Sequence, residues 1–174
     1  MATTTQIALN EYLQATYHPD REYVDGELQE RNVGKSEHAR VQALLAIWFG
    51  MHEKDWNILV TTEQRMQVSA DRVRIPDVTL VRPGGLSEDV LSTPPLCVIE
   101  ILSPDDTISR TWEKAQDYRR MGIENIWLID PGIRNGQAST ANGWRDTLEF
   151  DIPGTPIRLS LADLFRSLDQ SRMA

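Results

Sequence analysis

The chain has 174 residues, of which 40% are hydrophobic and 25% charged, a composition typical of a single globular domain spanning residues 1–174. Its 26 acidic and 18 basic side chains give a net charge of -8, which disfavours a non-specific nucleic-acid binder unless a local basic face or a metal ion offsets the acids. The single Cys excludes an intrachain disulfide and fits a reducing compartment. The longest apolar run, "ALLAIWF", is far shorter than a membrane span, and the N-terminal segment lacks the pattern of a signal peptide. We therefore expect a cytoplasmic protein with no membrane partner.

The first third of the chain predicts a helix, a hairpin and a longer helix. The apolar residues of "IALNEYLQAT" have helical spacing. In "REYVDGELQERN", the pair Asp25-Gly26 is typical of the tight turn between two short antiparallel strands. Ser36 is expected to cap the helix "EHARVQALLAIWFGMHEK", whose apolar residues recur at helical spacing and predict one buried face.

The middle of the chain predicts strands, and the rest alternates helices with strands. Four runs have strand character: "WNILVTTE", "RMQVS", "VRIPDVTLVRP" and "LCVIEILS". The polar helix "RTWEKAQDYRRMG" follows and should end at Gly122. The segments "IWLIDPG" and "DTLEF" predict a buried strand and an edge strand, and "SLADLFRSL" predicts a short terminal helix that begins with a capping box. This order predicts a mixed α/β fold with a central β-sheet flanked by helices.

Two of the predicted strands each place one carboxylate among apolar side chains. Alternate residues of a strand face opposite sides of a sheet, so Glu100 shares a face with Val98 and Leu102 in a strand that is apolar on both faces. By the same rule, "RIPDVTLV" places Asp77 on a face with Ile75, next to a proline that marks an edge or a bulge. Burying an ionised carboxylate is costly unless it is paired or binds a metal ion.

These two acids admit two interpretations. Each could face an arginine or lie at a strand end in water, which would make it structural. Alternatively, the two strands pair and bring Asp77 and Glu100 into one cleft, where two carboxylates form a hard-oxygen site suited to Mg²⁺ or Mn²⁺. A backbone carbonyl, such as that of Ile101, would then complete the ligand shell. The presence of two such acids favours the metal site.

The helix after Glu100 carries a further candidate. Lys114 and Tyr118 are four residues apart and therefore lie on one helix face. If this helix packs over the sheet, the Lys114 ammonium could reach the carboxylate cleft, where it would neutralise charge, position a water or steady a phosphoryl oxygen. Because the helix is otherwise strongly polar, Lys114 could equally be a solvated surface charge and Tyr118 a packing residue.

The order and spacing of several motifs resemble one family. Pro76-Asp77 followed by Glu100 resembles the PD-(D/E)xK signature of the restriction-endonuclease-like nuclease superfamily. More specifically, the chain resembles the Uma-type family of putative restriction endonucleases in six motifs: "REYVDGEL", "SEHARV", "RIPDVTLVRP", "VIEILSPDD", "KAQDY" and "IENIWLIDP". The resemblance implies a restriction-endonuclease-like core over about residues 22–150 and metal-dependent hydrolysis of phosphodiester bonds.

The resemblance also implies roles for individual residues. Asp77 and Glu100 would be the metal ligands. Glu37, at the start of the first long helix, matches an additional helical acid that can reach the metal directly or through water, although the helix dipole also favours a Glu in the first turn. His38 would contact substrate, unless it is simply a surface residue.

The sequence departs from the family pattern at one position. The superfamily signature expects a Lys two residues after Glu100, and this chain has Leu102 there. Some superfamily members place the Lys on the following helix, which makes Lys114 the natural replacement. Lys114 and Tyr118 also have the spacing of the QxxxY motif of RecB-like members, so Tyr118 is expected beside the substrate.

The leading hypothesis is a Mg²⁺- or Mn²⁺-dependent nuclease that acts on DNA. The alternatives are a catalytically inactive interaction protein that keeps the nuclease fold and a metal-dependent phosphatase or nucleotide hydrolase. A basic groove leading to the carboxylates would favour the nuclease, and six arginines are candidates for it: Arg72, Arg74, Arg82, Arg110, Arg119 and Arg120. Cleavage of both strands of a duplex would suit a symmetric homodimer.

Overall fold

The computed structural model of the chain describes residues 6–31, 35–140 and 143–173. The N-terminal residues considered above for a signal peptide lie in part outside this range, as does Asn32 at the end of the predicted hairpin. Four helices lie in the described part of the chain: α1 Leu9–Gln14, α2 Ser36–Trp56, α3 Ile108–Met121 and α4 Leu161–Met173. The strands there are β1 Arg21–Val24, β2 Glu27–Glu30, β3 Leu59–Thr62, β4 Met66–Ser69, β5 Arg72–Arg74, β6 Val78–Val81, β7 Cys97–Ile101, β8 Asn125–Asp130, β9 Asn135–Thr140, β10 Gly143–Thr147, β11 Glu149–Asp151 and β12 Arg158–Ser160.

The strands form a central six-stranded sheet, a four-stranded sheet and a small two-stranded ribbon. The central sheet has the order β10-β9-β8-β7-β6-β3, and the four-stranded sheet has the order β2-β1-β5-β4. Strands β7 and β8 are parallel and joined through α3, whereas β6 and β7 are antiparallel, so the central sheet is mixed. The prediction of a mixed α/β fold with a central mixed sheet is confirmed. The four-stranded sheet is an addition that the sequence pattern did not indicate.

The run "VRIPDVTLVRP" does not form the single strand that its composition predicts. Strand β5 pairs with β1 and β4, while β6 pairs with β3 and β7, so the chain leaves one sheet and enters the other between Arg74 and Val78. Pro76 lies in this link and has no N–H to donate to a ladder, which makes it a poor residue for a continuous strand. Asp77 is therefore positioned by a strand-to-strand link and not by the alternation of a single strand.

The central strand β7 has helices on both sides, as its apolar residues predict. Residues Cys97, Ile99 and Ile101 belong to the larger hydrophobic cluster, in which α2 and α4 cover one face of the sheet. Val98 belongs to a second cluster that includes Tyr118 of α3. The five residues of β7 are all buried. This double cover places Glu100 inside the protein.

The turns and helix ends follow the residues that favour them, with one correction. Asp25 and Gly26 adopt φ angles of 52° and 91° in the β1–β2 turn, which is the left-handed conformation that a tight hairpin requires. Helix α3 ends at Gly122, with φ of 98°. The prediction that Ser36 caps α2 is wrong by one residue, since Ser36 is already helical and Lys35 precedes the helix with an extended backbone.

In the described residues, we find no helix with the length and apolarity needed to cross a membrane.

Two glycines allow the packing to be tested against a matched control. A Cβ added at Gly136 would lie 2.6 Å from the Phe150 ring and 3.0 Å from the Leu128 carbonyl oxygen, whereas at Gly50, on α2, the nearest atom is a Val60 methyl at 3.9 Å. We expect Gly136→Ala to lower the free energy of unfolding by about 1–3 kcal/mol through overpacking. Gly50→Ala should be neutral or stabilising by up to about 1 kcal/mol, because alanine favours a helix interior.

Urea denaturation followed by tryptophan fluorescence measures both changes. Equal stability of Gly136→Ala and the wild type would show that β9 and the terminal ribbon do not pack as tightly as described.

Candidate active site

Glu100, near the C-terminal end of β7, is held by two residues of α3. The Lys114 ammonium lies 2.9 Å from one of its carboxylate oxygens, and the Tyr118 hydroxyl donates a hydrogen bond to the other. Because Lys114 and Tyr118 are one helical turn apart, they approach the carboxylate from the same face of α3. The helix thus packs over the sheet in the way that brings Lys114 to Glu100, and Lys114 is not a solvated surface charge.

The Glu22 carboxylate also contacts the Lys114 ammonium. Its Oε1 is 3.1 Å from the Lys114 ammonium, so Lys114 bridges Glu22 of the four-stranded sheet and Glu100 of the central sheet. Glu22 is 1% exposed and also pairs with Arg74 at 2.9 Å, and it accepts a hydrogen bond from the Ile75 N–H at 3.2 Å. Sequence analysis assigned Glu22 no role in the site.

Asp77 lies beside the end of β7 and is held by three donors. Its carboxylate accepts the Ile101 N–H at 2.8 Å, and it lies 3.2 Å from the His38 Nε2 atom and 3.2 Å from the Arg31 guanidinium. Its backbone carbonyl accepts a hydrogen bond from the Gln42 side chain at 2.9 Å. The hydrogen bond to Ile101 ties Asp77 to the residue that follows Glu100, so the two predicted acids lie at the same end of adjacent strands.

The backbone of Ile101 is oriented toward Asp77. Leu102, the next residue, donates its N–H to Ile129 of β8, whereas the Ile101 N–H faces the opposite neighbour and meets Asp77. In an extended strand, the N–H and C=O of one residue point to the same side. The Ile101 carbonyl is therefore expected on the Asp77 side, and its role as a metal ligand stays a prediction.

The pKa values of the two acids are shifted in opposite directions. Burial raises the pKa of Glu100 to about 7, and the charges of Asp77 and Glu22 add to the rise, against the opposing effect of the Lys114 ammonium. Burial acts in the same direction on Asp77, but the His38 hydrogen bond and the Lys114 charge outweigh it, so the pKa of Asp77 lies below its usual value. Asp77 is therefore ionised at neutral pH, while Glu100 can still take up a proton.

His38 is matched to this ionised carboxylate. Burial lowers the pKa of His38, but the hydrogen bond to Asp77 and the negative charge of Asp77 more than offset it, so the pKa lies above its usual value. A protonated imidazole is thus favoured beside the carboxylate. His38 is 12% exposed at its side chain and is not the simple surface residue that was the alternative interpretation.

A small cavity of about 50 Å³ joins the two acids to the basic side chains around them. The acidic groups that line it are Glu22, Asp77, Glu100 and Asp106, and the groups that are or can become cationic are Arg31, His38, Arg110 and Lys114. Glu37 lines a neighbouring cavity of about 430 Å³ and is absent from the lining of the small one. His38, the next residue on α2, takes the place beside Asp77 that the sequence analysis considered for Glu37.

Comparison with known proteins gives the family. The family model described as "Uma2: Putative restriction endonuclease" matches residues 9–146. The chain belongs to the Uma2 family. A comparison with curated protein sequences found no match.

One of two similar solved structures shows the fold that this Uma2 protein shares with a known protein. The crystal structure of "a putative nuclease belonging to DUF820" from Anabaena variabilis ATCC 29413 has a TM-score of 0.80 and 21% sequence identity, covering 93% of this chain and 99% of that chain. This likeness shows that the two proteins share a fold. The DrdV–DNA complex, solved by cryo-electron microscopy, has a TM-score of 0.40 and 19% identity, covering 74% of this chain and 10% of that chain, which is too weak a likeness to support an argument.

Of the six arginines considered as candidates for a basic groove, Arg110 alone is among the residues that line the small cavity of this Uma2 protein. Arg72 and Arg74 form ion pairs with Asp117 and Glu113, and Arg82 donates to the Asn57 carbonyl. Of the remaining three arginines, Arg119 packs over Trp144, Arg120 pairs with Asp117 and Arg110 lines the small cavity. Arg31, which the sequence analysis did not consider, joins Arg110 there.

The oxygen atoms of Asp77, Glu100 and Ile101 suit a hard divalent cation that keeps some of its coordinated waters. In the described part of the chain, no group of three or more His, Cys, Asp or Glu side chains is arranged to hold a metal ion. Mg²⁺ does not need such a cage, because it usually binds one or two carboxylates and completes its octahedral shell with waters and substrate phosphate. Asp77 and Glu100, with the Ile101 carbonyl expected on the same side, fit that requirement.

The buried pair of Glu22 and Arg74 predicts how stability depends on pH. Burial raises the pKa of Glu22, but Lys114 and Arg74 outweigh it and lower the pKa below the ordinary value of 4.5. A lowered pKa means that the stabilisation is complete above the ordinary value and is lost as the pH falls through the native pKa. We expect Glu22→Gln to lower the free energy of unfolding by about 1–3 kcal/mol at neutral pH, and the difference from wild type to shrink as the pH falls below the ordinary pKa of 4.5.

Urea denaturation at several pH values tests this expectation. Glu30→Gln is the matched control, because Glu30 is exposed and its pair with Arg21 should contribute less than about 1 kcal/mol. A stability difference that does not change with pH would contradict the assignment of Glu22 as an ionised partner of Arg74.

Proposed function

We propose that this Uma2 protein is a metal-dependent endonuclease that hydrolyses phosphodiester bonds of DNA. The observation that carries the proposal is the convergence of Asp77 and Glu100 on one small cavity, tied together through Ile101, with the Lys114 ammonium in contact with Glu100 in the same cavity. Membership of a family described as "Putative restriction endonuclease" supports the reaction class. DNA as the substrate, the metal and the individual roles below are parts of the proposal.

Asp77, Glu100 and the Ile101 carbonyl would hold Mg²⁺ or Mn²⁺. When bound, such an ion lowers the pKa of a coordinated water and stabilises the charge of the attacked phosphate. The ionised Asp77 carboxylate supplies the permanent anionic ligand. Glu100 would give up its proton to serve as the second ligand, since ligands must be deprotonated to bind a metal ion.

Lys114 would assist the reaction from α3. Its position between Glu100 and Glu22 keeps the ammonium charged, since both carboxylates and Asp77 outweigh burial and raise the pKa of Lys114. A fixed ammonium beside the carboxylates can orient a water or stabilise charge that develops on a phosphoryl oxygen. Lys114 would thus replace the lysine that is absent at position 102. Tyr118, which was expected beside the substrate, is fully buried and lines neither cavity, so it would act by keeping Glu100 in place.

Arg31, Arg110 and His38 would position the phosphate. All three line the small cavity, and His38 and Arg31 already bind the Asp77 carboxylate through charged donors. Guanidinium groups suit phosphate because their paired N–H donors match two of its oxygens. Glu37 is left with a more distant role in the proposal, through water at most, because it lines the neighbouring cavity.

Asp77→Ala and Glu100→Ala test the metal site directly. Each should reduce cleavage of a DNA substrate by about a hundredfold or more, with Mg²⁺ or Mn²⁺ present, and should abolish the saturable binding of Mn²⁺ that calorimetry detects for the wild type in the presence of a short DNA duplex. The control is Asp163→Asn on α4, which removes an exposed acid from an exposed ion pair. Circular dichroism checks that each variant stays folded.

Cleavage that survives in both folded variants would overturn the proposed ligands. Absence of Mn²⁺ binding and of cleavage in the wild type would overturn the nuclease altogether.

The ion pair of Lys114 with Glu100 also fits the alternative function, an inactive interaction protein that keeps the fold, because it makes Glu100 half of a buried structural pair. Lys114→Arg separates the two, since an arginine preserves the positive charge but places it in a planar, bulkier group. If Lys114 assists catalysis, Lys114→Arg should retain a cooperative unfolding transition and lose about 10- to 100-fold in the rate of cleavage. Cleavage by Lys114→Arg at the wild-type rate would assign Lys114 to the fold alone.

A further inference from the structure

The larger cavity beside the carboxylates has a different chemical character from the small one. It has a volume of about 430 Å³, within the range of roughly 300–1,000 Å³ that is typical of pockets for small organic ligands. Its walls are mainly apolar and include Leu102, Leu128 and Pro131, together with the indole rings of Trp112 and Trp144. An aromatic pocket of this kind suits a flat, neutral ring.

The two cavities are neighbours that share one wall. His38, Leu102, Ser103, Asp106 and Thr111 line both of them. A ligand that spans the shared wall would therefore place one group among the carboxylates and cations, and the next group against the tryptophans. A nucleotide has this division, since a charged phosphate is joined through a sugar to an uncharged aromatic base.

The tryptophan pair is fixed in place and partly open. The rings of Trp112 and Trp144 are in edge-to-face contact, with centroids 5.6 Å apart and planes at 84°. The Arg119 guanidinium lies 5.2 Å from the Trp144 ring centre and is itself held by the carbonyl oxygens of Thr140 and Gly143. Trp112 nevertheless remains 43% exposed, although it is a large apolar side chain on a polar helix. An aromatic side chain that keeps this much exposure beside a cavity offers a surface on which a base can stack.

The charges near the larger cavity favour a base over a phosphate. Among its lining residues are Glu37, Asp106 and Asp130, which would repel a phosphate but not a neutral base. Lys35 and His38 also line the larger cavity, but Lys35 is paired with Asp105, whereas the small cavity is lined by three permanent cations, Arg31, Arg110 and Lys114. The small cavity is thus better supplied with cations for a phosphate, and the larger one is better suited to a neutral base.

We propose that the cavity bounded by Trp112 and Trp144 is a base subsite of the proposed nuclease, and that it takes an unpaired base of single-stranded DNA whose neighbouring phosphate lies at the carboxylates. This inference rests on the proposed function. A base inside a duplex would first have to leave its stack, which is costly, so the subsite favours a single strand over a fully paired duplex. Trp112 supplies the stacking surface, and Arg119 acts as a positioning residue through Trp144.

The test compares strands that differ only in their bases. The probes are a fluorescently labelled strand of twelve thymidines, a strand of twelve abasic sugars with the same phosphates, and the thymidine strand paired with its complement. Binding is measured by fluorescence anisotropy with Ca²⁺ in place of Mg²⁺, so that binding is separated from cleavage. Wild type should bind the thymidine strand about tenfold or more tightly than both the abasic strand and the duplex.

Three variants test whether Trp112 causes the preference for the thymidine strand. Trp112→Ala should lose the preference for the thymidine strand, whereas Trp112→Phe, which keeps an aromatic face, should retain much of it. Met51→Ala, at an exposed apolar residue of α2 that is absent from the lining of either cavity, is the control and should bind as the wild type does. Equal affinity of the wild type for the thymidine and abasic strands, no binding of any strand, or an unchanged preference in folded Trp112→Ala would each overturn the base subsite.

Failure of the base subsite is distinguishable from failure of the nuclease. If Asp77→Ala abolishes cleavage while wild type and Trp112→Ala cleave single strands and duplexes alike, the base subsite is overturned and the nuclease stands. If the wild type shows the base preference but never cleaves DNA with Mg²⁺ or Mn²⁺, the base subsite is supported as a binding site and the nuclease is overturned.

Discussion

The site depends on one fully buried guanidinium, that of Arg74. It pairs with Glu22 of β1 at 2.9 Å and with Asp117 of α3 at 2.7 Å, so it fastens the four-stranded sheet to the helix that covers the central sheet. A buried charge that loses its partners is strongly destabilising, so these three elements cannot separate while Arg74 remains charged. Glu22 in turn pairs with the Lys114 ammonium of α3, and Lys114 and Tyr118 together hold the Glu100 carboxylate. The position of Glu100, a proposed metal ligand in the central sheet, thus depends on Arg74, which lies in the four-stranded sheet.

This arrangement is an unusual way to build a stable interior. Buried ion pairs contribute little to stability, because the cost of removing charges from water offsets most of their attraction, and well-packed hydrophobic residues of similar volume often serve the fold as well. Here two carboxylates, Glu22 and Glu100, share a single ammonium, and burial keeps the pKa of Glu100 at about 7. Proteins tend to depart from the rules of stable packing at their functional sites. A divalent cation bound by Asp77 and Glu100 would favour the ionised form of Glu100, which is why we interpret the cluster as a site and not only as a support for the fold.

Local sequence patterns predicted the parts of the site that depend on one element, and they failed where distant elements meet. The alternation of β7 and the spacing of Lys114 and Tyr118 are properties of a single strand or helix, and both sets of residues lie where these patterns placed them. Glu22 was missed, although strand alternation puts it on the same face as the buried Val24. The choice between Glu37 and His38 could not be made from sequence, because adjacent helical residues point about 100° apart and only the packing of α2 decides which one faces Asp77. Arg31 gave no local signal at all, since its partner Asp77 is 46 residues away.

The acidic net charge, which argued against a nucleic-acid substrate, carries less weight once the site is described. Around the small cavity, four carboxylates are opposed by three permanent cations and by His38, so the local charge is close to neutral and not strongly negative. A divalent cation held by Asp77 and Glu100 would make that charge positive at the point where a phosphate must approach. Phosphate binding at this site would then depend on the metal ion, because without it the cations are largely occupied by the carboxylates of the protein itself. For the same reason, the proposed base subsite is separate from the phosphate site, since a neutral base can lie against Glu37 and Asp130, where a phosphate without a metal ion could not.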